Sequence, residues 1–287
     1  MQLDLFEHSG NVALQNDVIA ALSQRDAVAC PGAVAALEAK YGDDFLLPAF
    51  NVLCKALHSS LPAPLVREDA SAILQDYKGD VAAAARRVFG SKAQDWLSPL
   101  WMALAAAIAD YQFDPACPEL HAAPMQLKAR CWGDAVASVE RIVAWRWEPE
   151  PLAWMLEATL WIDGIDAIWP LLAELAWMAP QKALDLVRRL AQPELDRLVS
   201  RFSEEFDGEG TADEFAWFPA WALVVVRGLA ESMRPALRGT DSPAERCARI
   251  LLDLRALERQ GRHDQIVKGR RQLSEAHLAL FKRYMQN

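Results

Sequence analysis

Along this chain apolar residues recur at intervals of three and four, the spacing that gathers them on one face of an α-helix. Val18, Ile19 and Leu22 begin the pattern, so a first helix opens at Asn16 or Asp17 and ends near Asp26, behind a tail of residues 1–14. A second helix runs from Pro31 through Val34, Leu37 and Tyr41 to Gly42, and a third covers Leu46–His58 with Phe50, Leu53 and Leu57 in register. After the break at Leu61-Pro62-Ala63-Pro64 come Leu65–Tyr77 and a helix that restarts at Gly79-Asp80 and runs to Phe89. Asp95–Tyr111 is almost wholly apolar, the mark of a helix buried on every side. No segment alternates apolar and polar residues as a half-buried strand does, so the expected fold class is all-α.

A longer period is superimposed between residues 118 and 191. Pro118, Pro149 and Pro180 lie 31 residues apart, and so do Gly133 and Gly164. Each unit reads as two helices: Met125–Trp132 and Ala135–Trp145 about Gly133-Asp134, then Leu152–Ile162 and Ile165–Met178 about Asp163-Gly164. Gln181–Ala191 and Pro193–Phe206 form a third pair. The glycine takes the left-handed conformation that ends one helix, and the proline supplies the first turn of another. Repeats of this length mark stacked helix pairs, each burying its apolar face against the next.

The small residue at the inter-helix turn (Gly133, Gly164), the alanine behind it (Ala137, Ala167) and the proline after the second helix (Pro149, Pro180) resemble the tetratricopeptide repeat. The period here is 31 residues, against 34 for that family, and the family's full aromatic signature is missing. The resemblance implies a right-handed superhelix of antiparallel helix pairs whose concave face takes a protein or peptide partner. On this reading residues 15–112 are irregular N-terminal helices, 113–206 the repeats and 211–287 a C-terminal helical cap, all in one continuous domain.

Beyond the repeats, the acidic stretch Glu204–Glu214, with Gly208 and Gly210, reads as a loop. Phe215–Leu229 is an aromatic-rich helix interrupted at Pro219. Ser242-Pro243-Ala244-Glu245 is a capping box that opens a helix to Gln260, ended by Gly261. A short helix at Asp264–Gly269 and a last one over Leu273–Met285 complete the expected order.

Composition narrows the function. The net charge of −9 excludes a general nucleic-acid binder, which needs a basic surface. The charge is uneven: residues 234–287 hold 12 Lys/Arg and 6 Asp/Glu, which leaves −15 on the rest. Five scattered cysteines without a CxxC spacing fit reduced thiols in a cytoplasm, not a disulfide frame or zinc site. The start of the chain lacks the features of a signal peptide, and the apolar runs at Trp96–Ala109 and Phe215–Val226 are too short to span a bilayer, so no membrane is expected.

Four features carry candidate chemistry. Seven of the 11 tryptophans lie between Trp132 and Trp177. Large rings at helical spacing are most often core, but a groove lined by Trp147, Trp154, Trp161 and Trp177 would stack a peptide, with Trp147 and Trp177, near helix ends, the exposed pair. Gln2-Leu3-Asp4-Leu5-Phe6 resembles the pentapeptide by which bacterial replication and repair proteins bind the sliding clamp. The resemblance implies an extended ligand with Leu3, Leu5 and Phe6 as apolar anchors and Gln2 at the pocket edge, whereas the same residues docked on their own core would look alike. The basic residues Arg255, Arg259, Arg262, Lys268, Arg270, Arg271, Lys282 and Arg283 read as a solvated face meeting acidic groups of the same chain. The acidic residues Glu204, Glu205, Asp207, Glu209, Asp213 and Glu214 do not follow a calcium-loop spacing.

No phosphate-binding loop, dinucleotide fingerprint, nucleophile elbow or paired-histidine zinc motif occurs, and the five histidines are isolated. The expectation is therefore a non-catalytic interaction scaffold with no cofactor, no metal and no catalytic residue. The alternatives are a clamp-associated accessory protein of DNA replication or repair acting through residues 2–6, and an enzyme or metal protein whose site assembles from distant helices. A regulator that presents an acidic face to a basic partner is a further class.

Overall fold

The computed structural model describes residues 2–206, 208, 211–226, 228–237 and 239–286, with backbone alone for 2–9 and 212. Among the described residues there is no strand. The chain divides into two compact units, Met1–Cys131 and Trp132–Asn287. The division falls inside the span whose spacing suggested a single run of repeats.

The first unit holds α1 (Gln2–Ser23), α2 (Ala29–Lys40), α3 (Leu47–His58), α4 (Arg67–Asp76), α5 (Ala82–Phe89), α6 (Ala93–Ala107) and α7 (Ala122–Lys128). α1 begins at Gln2, well before the capping residues Asn16 and Asp17 at which the sequence reading starts it. Helical backbone there needs no cap at residue 16, because the turn before it already supplies the hydrogen-bond acceptors. A π-turn over Tyr77–Val81 joins α4 to α5, so Gly79 does not break the helix. α6 is central, as its apolar run predicts: Trp96, Leu97, Leu100, Trp101 and Leu104 are all buried. Its Trp96 indole donates to the Leu22 carbonyl at 2.9 Å, and the Arg25 guanidinium donates to the Trp96 carbonyl at 2.8 Å while lying over the indole ring. The end of α1 is thereby tied to a helix more than seventy residues away.

The second unit contains α8 (Trp132–Glu140), α9 (Pro149–Asp163), α10 (Ile165–Met178), α11 (Pro180–Leu190), α12 (Pro193–Glu205), a 3-10 segment (Ala212–Trp217), α13 (Phe218–Val225), α14 (Leu229–Met233), α15 (Pro243–Gln260), α16 (His263–Ala276) and α17 (Leu278–Gln286). Pro149, Pro180 and Pro193 each open a helix, where the missing N–H costs nothing. Gly164 alone separates α9 from α10, at φ 86° and ψ −175°, a region open in practice only to glycine. Gly133 does not share that role. It lies inside α8, and the left-handed residue before that helix is Arg130, at φ 61°.

Two further expectations change. The region 263–286 is a 14-residue α16 and a separate α17 broken at His277, whose Nδ1 accepts from the Leu280 N–H. The capping box at α15 is half conventional: Ser242 Oγ accepts from the Glu245 N–H, but the Glu245 carboxylate turns outward to the preceding loop. The core of this unit is aromatic. Phe202 of α12 meets Phe218 and Trp221 edge-on at 5.6 and 5.5 Å, and Phe215 stacks on Phe218 at 4.7 Å.

Candidate peptide groove

α9 and α11 lie side by side, and two ion pairs fix their register. Glu150 pairs with Lys182, and Glu157 with Arg189 at 2.8 Å. Each pair spans 32 residues, and both partners advance by seven along their helices. Two helices that stay in register over seven residues run in the same direction. α10 packs against both, and the Ala212–Trp217 segment closes over α10 and α11.

A groove of about 570 Å³ opens along the α9–α11 seam. Ala153, Trp154 and Leu186 form its apolar floor, with the first turn of α11 at one side. Glu150, Lys182, Asp185, Arg189 and Asp213 supply its walls. Gln181 also borders a neighbouring cleft of about 480 Å³ between α11, α12 and the 3-10 segment. An apolar floor under a polar rim is the construction of a peptide-binding surface.

The four tryptophans assigned to one groove are dispersed. Trp154 alone lines the α9–α11 groove, buried but for one edge. Trp161 is half exposed at the end of α9 and stacks on Trp132 at 5.6 Å. Seven residues do place Trp154 and Trp161 on one helix face, but the helix is covered only at the Trp154 end. Trp147 is exposed as expected, whereas Trp177 is buried, because the Arg249 guanidinium covers its ring at 4.9 Å.

Trp147 and Trp177 instead border a small cavity with Arg146 and Glu174. Glu174 is buried and accepts two hydrogen bonds from Arg146, at 3.0 and 2.7 Å, and one from the Leu237 N–H at 2.6 Å. Glu245 performs the same service one turn of loop later. It accepts from the N–H groups of Gly239, Thr240 and Asp241 and from the Thr240 hydroxyl. Burial pushes the Glu245 carboxyl up, but these hydrogen bonds outweigh it and hold the group below its ordinary value. Two buried carboxylates thus pin one loop, and that cavity is a structural lock.

The basic C-terminal stretch meets carboxylates of the same chain. Arg255 and Arg270 pair with Glu258, Arg259 with Glu231, Arg271 with Glu275 and Arg283 with Glu205. Among the described residues, no three His, Cys, Asp or Glu side chains gather as a metal-ligating group. His121, four residues from Cys117, caps α7 by accepting from the Ala123 N–H. Within the acidic stretch, Asp207 and Glu209 lie outside the described residues. The side chains of Gln2, Leu3, Asp4, Leu5 and Phe6 lie outside them too; helical backbone is described there, where the clamp-like reading expects an extended strand. No helix among the described residues is long and apolar enough to cross a membrane.

Sequence reasoning passed over Glu150, Lys182 and Asp185, and took Asp213 only as part of the acidic stretch. The signal for the first two was present: opposite charges 32 residues apart, twice, on helices of the same rank in successive units. No family model, curated protein or solved structure matches this chain.

Proposed function

We propose that the protein is a non-catalytic interaction scaffold that holds an extended segment of a partner protein in the α9–α11 groove. The observation that carries this reading is the seam itself: two like-directed helices one repeat apart, with paired charges at the rim and an apolar floor between. A one-residue turn and two ion pairs in step also support a tetratricopeptide-like stacking of antiparallel helix pairs, with α9 and α11 as successive inner helices. The test is selection of peptides from a random display library on the full chain, followed by affinity measurement on Gln181→Trp. Gln181 is exposed and borders the groove, so a bulky ring there blocks it without disturbing the core. Selected peptides should lose at least tenfold in affinity. Equal binding to the variant removes the groove from consideration.

A second reading concerns the N-terminus. Gln2, Leu3, Asp4, Leu5 and Phe6 fill every preferred position of the clamp-binding pentapeptide. A short apolar motif of this kind suits a portable ligand for the bacterial sliding clamp. A peptide of residues 1–10 should bind purified clamp, and Leu5→Ala with Phe6→Ala should abolish it; a wild-type peptide that does not bind ends this reading.

A further inference from the structure

The charges around the groove do not cancel. Lys182 and Arg189 are each engaged, Lys182 by Glu150 within the wall and Arg189 by Glu157 beside it, so both cations are already neutralised. Two carboxylates remain. Among the described residues Asp185 accepts only a neutral amide hydrogen bond, from Gln181 at 2.9 Å. Asp213 has no ion-pair or hydrogen-bond partner among the described residues. Both are exposed and both border the same groove, above the apolar floor of Ala153, Trp154 and Leu186.

We propose that the groove selects a basic amphipathic peptide segment, with an apolar side chain on the Trp154–Leu186 floor and a lysine or arginine reaching Asp185 and Asp213. The inference rests on the groove being the binding site and adds the chemistry of its occupant. Charge complementarity supplies the argument. A cationic head finds two carboxylates that no cation among the described residues satisfies, and charge-assisted hydrogen bonds are the strong ones. An acidic segment would meet three carboxylates, Glu150, Asp185 and Asp213, and only two cations that are already engaged. The apolar floor excludes a bare metal ion as the full occupant, because it offers no oxygen ligand. Nucleic acid is disfavoured by the same excess of negative charge.

The test uses the full chain and three fluorescein-labelled peptides of one length and apolar core, carrying two lysines, two glutamates or two glutamines. Anisotropy should show the lysine peptide binding at least tenfold tighter than the glutamate one, with affinity falling as salt rises. The double substitution Asp185→Asn with Asp213→Asn, at exposed positions, should erase most of that preference and leave the glutamine peptide unchanged. Gln181→Trp should weaken all three. If the peptides bind with no charge preference and Gln181→Trp still blocks them, basic selectivity is overturned and the groove stands. If Gln181→Trp leaves binding intact, or if no peptide binds, both the selectivity and the groove reading fall.

Discussion

Buried charge does its most consequential work at single residues. Glu174 and Glu245 are both buried in the second unit, and several donors converge on each. Removing such a carboxylate leaves its donors buried and unmatched. Glu174→Ala, which orphans Arg146 and the Leu237 N–H, should cost about 3 kcal/mol in chemical denaturation. Glu245 adds a pH dependence. Its folded-state carboxyl titrates below its unfolded value of 4.5, so its contribution is present in full above that value and is lost as pH falls through the folded one. Denaturation midpoints measured from pH 7 to 3 should fall with acid, and Glu245→Gln should flatten that slope. Thiols follow the same logic with the opposite sign. Burial pushes Cys30 up to about 12 and Cys247 up to about 11, so neither forms thiolate at neutral pH. Alkylation of the native protein followed by mass spectrometry should label the half-buried Cys117 and Cys131 first, with Cys30 and Cys247 reacting only on unfolding.

Two glycines with the same spacing turn out to have unlike roles at the level of the helices. Gly164 holds the one-residue turn between α9 and α10 at φ 86°, and a methyl group there meets open space but a forbidden backbone. Gly164→Ala should therefore destabilise by about 2 kcal/mol. Gly133 lies within the first turn of α8 with nothing near its missing side chain, so Gly133→Ala should be neutral or stabilise by about 0.5–1 kcal/mol. A pair of thermal melts distinguishes them, and an equal loss in both would restore Gly133 as a turn. The prolines kept their sequence meaning better, because a fixed φ and a missing N–H act locally whatever the tertiary surroundings. α10 and α12 were legible almost residue by residue for the same reason: a glycine or proline at the start, apolar periodicity and breakers all lie in or beside the segment. α16 was misread because Gly269, taken as an end, lies inside it, where Leu254 of α15 leaves no room for a side chain.

At the scale of the whole molecule the chain is two compact units meeting in sequence at Cys131 and Trp132. Each owns a buried core, centred on α6 in the first and on the Phe202–Phe215–Phe218–Trp221 cluster in the second. Residues 1–131 and 132–287 expressed separately should each show a helical circular dichroism spectrum and a cooperative melt; a half that stays unfolded would make the division one of contact density alone. The sequence by itself determined that the protein is all-helical, where most helices start and stop, and that α6 is buried. Those properties follow from backbone hydrogen bonds four residues long and from a 3.6-residue period, so they are written locally. Only the tertiary structure decided which tryptophans see solvent, which arginines of the C-terminal stretch find partners, and which two carboxylates on the groove lack a cation among the described residues. Those outcomes depend on neighbours as distant as Arg146 and Glu174, 28 residues apart, or Glu205 and Arg283, 78 apart. Pairing over such distances is set by how helices pack, and no local pattern encodes it.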